Sequence, residues 1–334
     1  METKKNVTLK KSAISKDFIS QNGIWAVLLV LAAIMSIANP KFLTMNNLIT
    51  LLTGEACKGV ISFGIMFAIL SKGTDLSAGA VAALVGAVTA ALVQPADYAM
   101  RILGFGPFPT WVAILCGLAL GVLIGAINGC LIAYTKVPPF IATMSTQLIC
   151  RASAKVFANR PVSNLPEDFR FFGAGWIGKV PVIVICFIIM FIISAILLTQ
   201  TRFGKNVFAI GGNDQAARVA GINVEWNLVK VYVWCSLCSA IGGIMLAGRA
   251  GSVDPSSTGL QYEFDAIAAV TVGGTSHTGG ICRISGVLCG ILILGVINNG
   301  LVMMKVDDNM TNIIKGLIIV IAVVLDMRKN AKKA

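Results

Sequence analysis

No residue from Thr110 to Tyr134 carries a charge, and none does from Leu76 to Val93. A helix crosses a bilayer with about 20 apolar residues. Predominantly apolar segments, some with a few charges, recur along the 334 residues, at 21–38, 48–71, 76–93, 110–134, 138–157, 180–199, 226–248, 262–274, 281–303 and 310–327. One aqueous core cannot hide so much apolar surface. The pattern therefore predicts an all-α polytopic membrane protein with about ten transmembrane helices. Segment 262–274 is short for a span and reads as broken or re-entrant, which is tolerated only where protein or a cavity covers it. Eight crossings plus two re-entrant segments fit nearly as well.

Charged residues make up 13% of the chain, against about 25% in ordinary soluble domains. That excludes a cytosolic enzyme, a disordered chain and a small disulfide scaffold. The net charge of +12 is concentrated at the ends: Lys4, Lys5, Lys10, Lys11 and Lys16 in 1–20, and Arg328, Lys329, Lys332 and Lys333 in 328–334. Basic tails beside apolar segments mark cytoplasmic ends rather than a nucleic-acid surface. With both termini cytoplasmic, loop 200–225 with Arg202, Lys205 and Arg218 falls inside, and the mixed-charge loop 158–179 falls outside. The run from Gly23 to Ala38 ends without a small-residue cleavage site and reads as a retained first span. This organises the chain as a basic tail at 1–20, one transmembrane domain at 21–327 and a second basic tail at 328–334.

An internal echo suggests how the domain is built. GAINGCL at 125–131, followed by Lys136 and Val137, resembles GVINNGL at 295–301, followed by Lys305 and Val306. In the ten-span arrangement the copies end on opposite sides. That makes helices two to five and seven to ten inverted repeats, an architecture with its solute path at the repeat interface. Gly117, Gly121, Gly125 and Gly129 form a small-residue helix face for close packing, within the bundle or across a dimer.

Polar groups within apolar segments are costly and mark candidate path residues. Asp75 and Ser77 interrupt the apolar run between the second and third helices. Glu263 and Asp265 open the short eighth segment, as solute ligands or helix caps. Asn128 and Asn298 belong to the echoed motif, and Phe140 follows Pro138 and Pro139. Glu55 and Lys58 stand at i,i+3, the spacing of an ion pair. Cys235 and Cys238 read as small apolar packing residues, since a zinc site needs further ligands. The glycine-rich turn around His277 lacks the phosphate-cradle spacing. No catalytic constellation and no metal set stands out.

In loop 200–225, Asn213 or Asp214 can cap a short helix that Ala216 and Ala217 favour and Gly221 ends. Its small face suits a groove in a partner. The segment from Ala216 to Ile222 resembles the coupling motif of ATP-binding-cassette importer permeases, with Gln215 in the acidic position. The whole chain resembles the ribose/galactoside branch of that family. The resemblance rests on 73–79, 127–129, 137–141, 201–205, 266–270, 273–275 and 314–316. Segments 262–269 and 208–213 stand nearest to galactoside-type members. The resemblance implies a non-enzymatic permease in the cytoplasmic (inner) membrane that moves a monosaccharide by alternating access. It implies partners: a second copy of the chain, an extracytoplasmic sugar-binding protein and an ATPase subunit. The chain itself binds no cofactor, because ATP and magnesium belong to the ATPase. Asn213, Asp214, Ala216, Ala217, Arg218 and Gly221 then make the ATPase contact. An ion-coupled secondary transporter is the competing reading, with Asp75, Glu263 or Asp265 as the ion-handling groups.

Overall fold

The computed structural model describes residues 23–331. The basic segment 1–20 and Lys332 and Lys333 lie outside the described residues. The chain folds into helices: α1 (Gly23–Ala38), α2 (Met45–Leu70), α3 (Ala78–Val93), α4 (Thr110–Tyr134), α5 (Pro139–Phe157), α6 (Glu167–Ala174), α7 (Val182–Thr199), α8 (Arg202–Gly212), α9 (Asp214–Val219), α10 (Val224–Ala250), α11 (Tyr262–Val272), α12 (Ile284–Met303) and α13 (Asp308–Ala331). A two-residue hairpin, β1 (Trp176–Ile177) with β2 (Val180–Pro181), follows α6. Helix α13 runs through Ala331, so residues 328–331 extend the last helix.

Among the described residues, five helices are long and apolar enough to cross a membrane: α2, α4, α7, α10 and α12. Helices α1 and α3 are apolar but shorter. The eleven residues of α11 span only about 16 Å, too little for a crossing. Segment 251–261 before it folds back against its neighbours. Val253 pairs with Val162 in an antiparallel bridge, and Arg151 Nη1 donates to the carbonyls of Pro255 and Thr258 at 3.2 and 2.6 Å. Ser256 N–H and the Ser257 hydroxyl hold the Asp254 carboxyl below the usual carboxylate range.

Helix α10 is the axis of the packing, lying against α2, α3 and α4. Gly125 and Gly129 of α4 meet its backbone directly, Gly121 meets the Ala240 methyl, and Gly117 faces Thr89 and Val85 of α3. A Cβ on Gly125 would stand 2.6 Å from the Tyr232 carbonyl and 2.7 Å from Val233 Cα, and one on Gly129 would stand 2.6 Å from Val229 Cα. The small-residue stripe thus serves the bundle interior, as close approach of membrane helices requires. Cys235 and Cys238 are buried free thiols that meet Gly64 of α2 in a similar tight contact.

The helix pairings recur. Helix α3 packs on α4, α5 and α10, and α11 packs on α12, α13 and α2; α4 packs on α10, and α2 on α12. The two echoed lysines share a backbone state, with φ of 59° at Lys136 and 58° at Lys305. Each turns the chain sharply after a long helix. The glycine-rich turn around His277 is anchored: Gly280 N–H donates to Leu70 O at 3.0 Å, and Thr271 Oγ1 lies 2.7 Å from His277 Nε2.

Candidate functional site

The break between α2 and α3 builds the first polar cluster. Segment 71–77 leaves the helical path, so its backbone groups need partners away from water. Asp75 Oδ1 accepts from Ser77 N–H at 2.8 Å and from the Ser77 hydroxyl at 2.6 Å, closing a tight turn into α3. Thr143 Oγ1 of α5 accepts from Leu76 N–H at 3.2 Å, and its one proton lies between Pro139 O at 2.9 Å and Thr74 O at 3.3 Å. Asn128 Nδ2 of α4 donates to the Ser77 hydroxyl at 3.2 Å, and Asn128 Oδ1 accepts from the Thr146 hydroxyl of α5. Next along α5, Gln147 Nε2 donates to Glu263 Oε1 of α11 at 3.0 Å. Asp75, Ser77, Asn128 and Glu263, all buried, are thereby gathered around α5. Gly79 presses against the Glu263 carboxylate and the Gly259 carbonyl, which brings the first turns of α3 and α11 together.

A second cluster joins α2, α11, α12 and α13. Lys58 Nζ lies 2.8 Å from Asp265 Oδ2 and 3.7 Å from Glu55 Oε1. Lys315 Nζ reaches Asp265 Oδ1 at 3.3 Å. Asn298 Nδ2 donates to Glu55 Oε1 at 2.9 Å. Two carboxylates and two ammonium groups neutralise one another in a poorly solvated place, where an unpaired charge would be very costly. The i,i+3 pair of Glu55 and Lys58 does form, but the shorter contact of Lys58 is to Asp265, distant in sequence. Neither Glu263 nor Asp265 caps α11, whose N-cap is Gln261 at φ 65° without a side-chain cap bond. Phe140 joins neither cluster and is exposed near the start of α5.

Loop 200–225 contains two helices where one was expected. Helix α8 buries Gly204, Val207, Ile210 and Gly211, and Gly211 packs on the end of α2. Asn213 Oδ1 then accepts from Ala216 N–H at 3.0 Å and caps α9, with Asp214 in its first turn. Gly221 ends it at φ 82°. Ala217 is buried with Ile210 and Val224. Arg218 Nη1 is 2.7 Å from Glu225 Oε1, and so faces its own chain. The side left outward carries Ala216 and Val219, the latter 91% exposed. Sequence reading missed Val219. The missed signal was arithmetic: on a six-residue helix, burying Ala217 forces Val219 outward.

Comparison with known proteins bears on both regions. The chain is 40% identical over 328 residues to the galactose/methyl galactoside import permease protein MglC of Haemophilus influenzae, covering 96% of this chain and 97% of the relative. It is 39% identical to the Escherichia coli protein of the same name, covering 97% and 98%. It is also 39% identical to the ribose import permease protein RbsC of Bacillus subtilis, covering 99% and 100%. No solved structure matches. The pattern of one permease family runs over residues 47–323, across both polar clusters and the loop that holds α9. The chain belongs to that family, described as branched-chain amino acid transport system / permease component.

Proposed function

We propose that this chain is the membrane-spanning permease subunit of an ATP-driven monosaccharide importer. The observation that carries the reading is similarity along nearly the whole chain, at 40% and 39% identity, to a galactoside and a ribose import permease. That resemblance outweighs the amino-acid wording of the broader family description. Galactose or a methyl galactoside is the preferred cargo, with ribose next. The chain performs no chemistry; a separate subunit binds ATP and magnesium and hydrolyses the nucleotide.

In this reading residues 21–327 form one permease domain in the inner membrane, with eight crossings plus two re-entrant segments, α11 one of them, and both termini cytoplasmic. Helices α2 to α5 and α10 to α13 are inverted repeats. Their support is the exchange of packing partners between the two sets and the matched left-handed lysines. Asp75, Ser77, Asn128, Phe140, Glu263, Asp265 and Asn298 border the route. Glu263 Oε2 and Asn298 Oδ1 have no hydrogen-bond partner among the described residues, which suits groups that meet a passing hydroxyl. Two copies of the chain enclose the path, and a sugar-binding protein delivers cargo from outside. Helix α9 seats on the ATPase, with Ala216, Val219 and Gly221 outward and Asn213, Asp214, Ala217 and Arg218 shaping it.

Affinity purification of the tagged chain in mild detergent, followed by mass spectrometry, tests this. An ATP-binding-cassette subunit in equal amount supports the reading. Recovery of the chain alone, with uptake that collapses when the ion gradient is dissipated, would replace it with an ion-coupled transporter.

A further inference from the structure

Glu225 Oε1 accepts from two cations on two different elements. Arg218 Nη1, in the last turn of α9, lies 2.7 Å away, and Lys136 Nζ, in the turn between α4 and α5, lies 2.9 Å away. Glu225 itself stands in the first turn of α10. We propose that Glu225 is a positioning residue that passes displacement of α9 to the base of α5. This rests on the reading of α9 as the ATPase contact.

Three observations carry it. Helix α9 has six residues and cannot hold itself, since helices this short are unstable alone. Its ties are the Asn213 cap, the buried Ala217 and the Arg218 ion pair. Second, an open cavity of about 330 Å³ lies between the α4–α5 turn and the start of α10, lined by Ala133, Tyr134, Lys136, Asn223 and Glu225. Packed side chains do not fill that gap, so the Lys136 to Glu225 ion pair bridges it. Third, α5 begins three residues after Lys136, and its Thr143, Thr146 and Gln147 hold the cluster around Asp75 and Glu263. A shift at Lys136 therefore acts on the buried cluster through one helix. Lys136 and Arg218 are exposed and Glu225 is half-buried, and ion pairs at such a surface add little to stability. Losing them detaches the lever without unfolding the chain.

The test uses the full chain with its co-purifying ATPase and binding protein in proteoliposomes, with labelled galactose and ribose as probes. The readouts are ATPase retention and sugar moved per ATP hydrolysed. Glu225→Gln should keep the ATPase bound and hydrolysis within about twofold, while sugar moved per ATP falls about fivefold, as loss of a coupling contact allows. Arg218→Glu with Glu225→Arg should stay low, because Lys136 then faces a like charge. Adding Lys136→Glu should restore coupling. Unchanged sugar per ATP in Glu225→Gln overturns the proposal, as does full recovery by the two-residue exchange without Lys136→Glu. If Val219→Arg releases the ATPase while Glu225→Gln changes nothing, this proposal falls and the docking reading stands. If Val219→Arg has no effect either, the docking reading fails and takes this proposal with it.

Discussion

Lys58 Nζ lies 2.8 Å from Asp265 Oδ2, joining α2 to α11 across more than half the sequence. Because Glu55 and Lys315 complete the group, the buried charges sum to zero. The balance fails if one member is removed. Lys58→Met should lower the melting temperature in mild detergent by several degrees, in line with about 3 kcal/mol for breaking a buried pair. Lys58→Arg, which keeps the charge, should retain most of that stability. Equal melting temperatures for all three proteins would show that the pair contributes nothing.

Asp75 presents a second contrast. Its Oδ1 accepts two bonds from Ser77, and an asparagine carbonyl can accept the same two. Asp75→Asn should therefore preserve the folded yield. Asp75→Ala should lose the turn and reduce uptake of labelled galactose or ribose more than it reduces protein in the membrane. Wild-type uptake kinetics in Asp75→Ala would demote the residue to a dispensable turn.

Packing of α4 on α10 is open to a graded test. Gly125→Leu should abolish a monodisperse peak in size-exclusion chromatography, because its first added carbon already stands 2.6 Å from the Tyr232 carbonyl. Overpacking of even one methylene costs roughly 1–3 kcal/mol. Gly54→Ala, with nothing within 4 Å of the added carbon, is the neutral control. A normal peak from Gly125→Leu would refute the close seam.

Outward residues of α9 should govern retention of the ATPase. Val219→Arg should cut the ATPase recovered with the tagged chain about tenfold, an effect typical of an interface anchor. Gly221→Glu should leave the chain in the membrane but impair docking and transport, since φ 82° strains any residue with a Cβ. Normal recovery and uptake in both variants would remove α9 from the interface.

Much of this arrangement was legible in the amino-acid order, for physical reasons that differ by element. Uncharged runs such as 110–134 announce their helices because lipid admits little else. The Asn213 cap and the Gly221 stop of α9 were legible because capping is local chemistry. Helix α6 escaped notice, since its mixed charges sit within a loop-like stretch. Helix α8 did too, because the paired glycines Gly211 and Gly212 suggest a turn, whereas Gly211 is needed for contact with α2. The link from Lys58 to Asp265 could not be read at all, for nothing local specifies which distant carboxylate a lysine meets. The burial of Ala217 and the pairing of Arg218 with Glu225 were hidden for the same reason.

The seam between α4 and α10 carries a mechanical consequence. Where backbone rests on backbone, no rotamer can change and no side chain can yield. Gly125 and Gly129 therefore seat the two helices backbone against backbone, with little slack between them. Any relative movement within the bundle is then expected elsewhere, at joints bridged by polar contacts and open space, such as the short turn that holds Lys136.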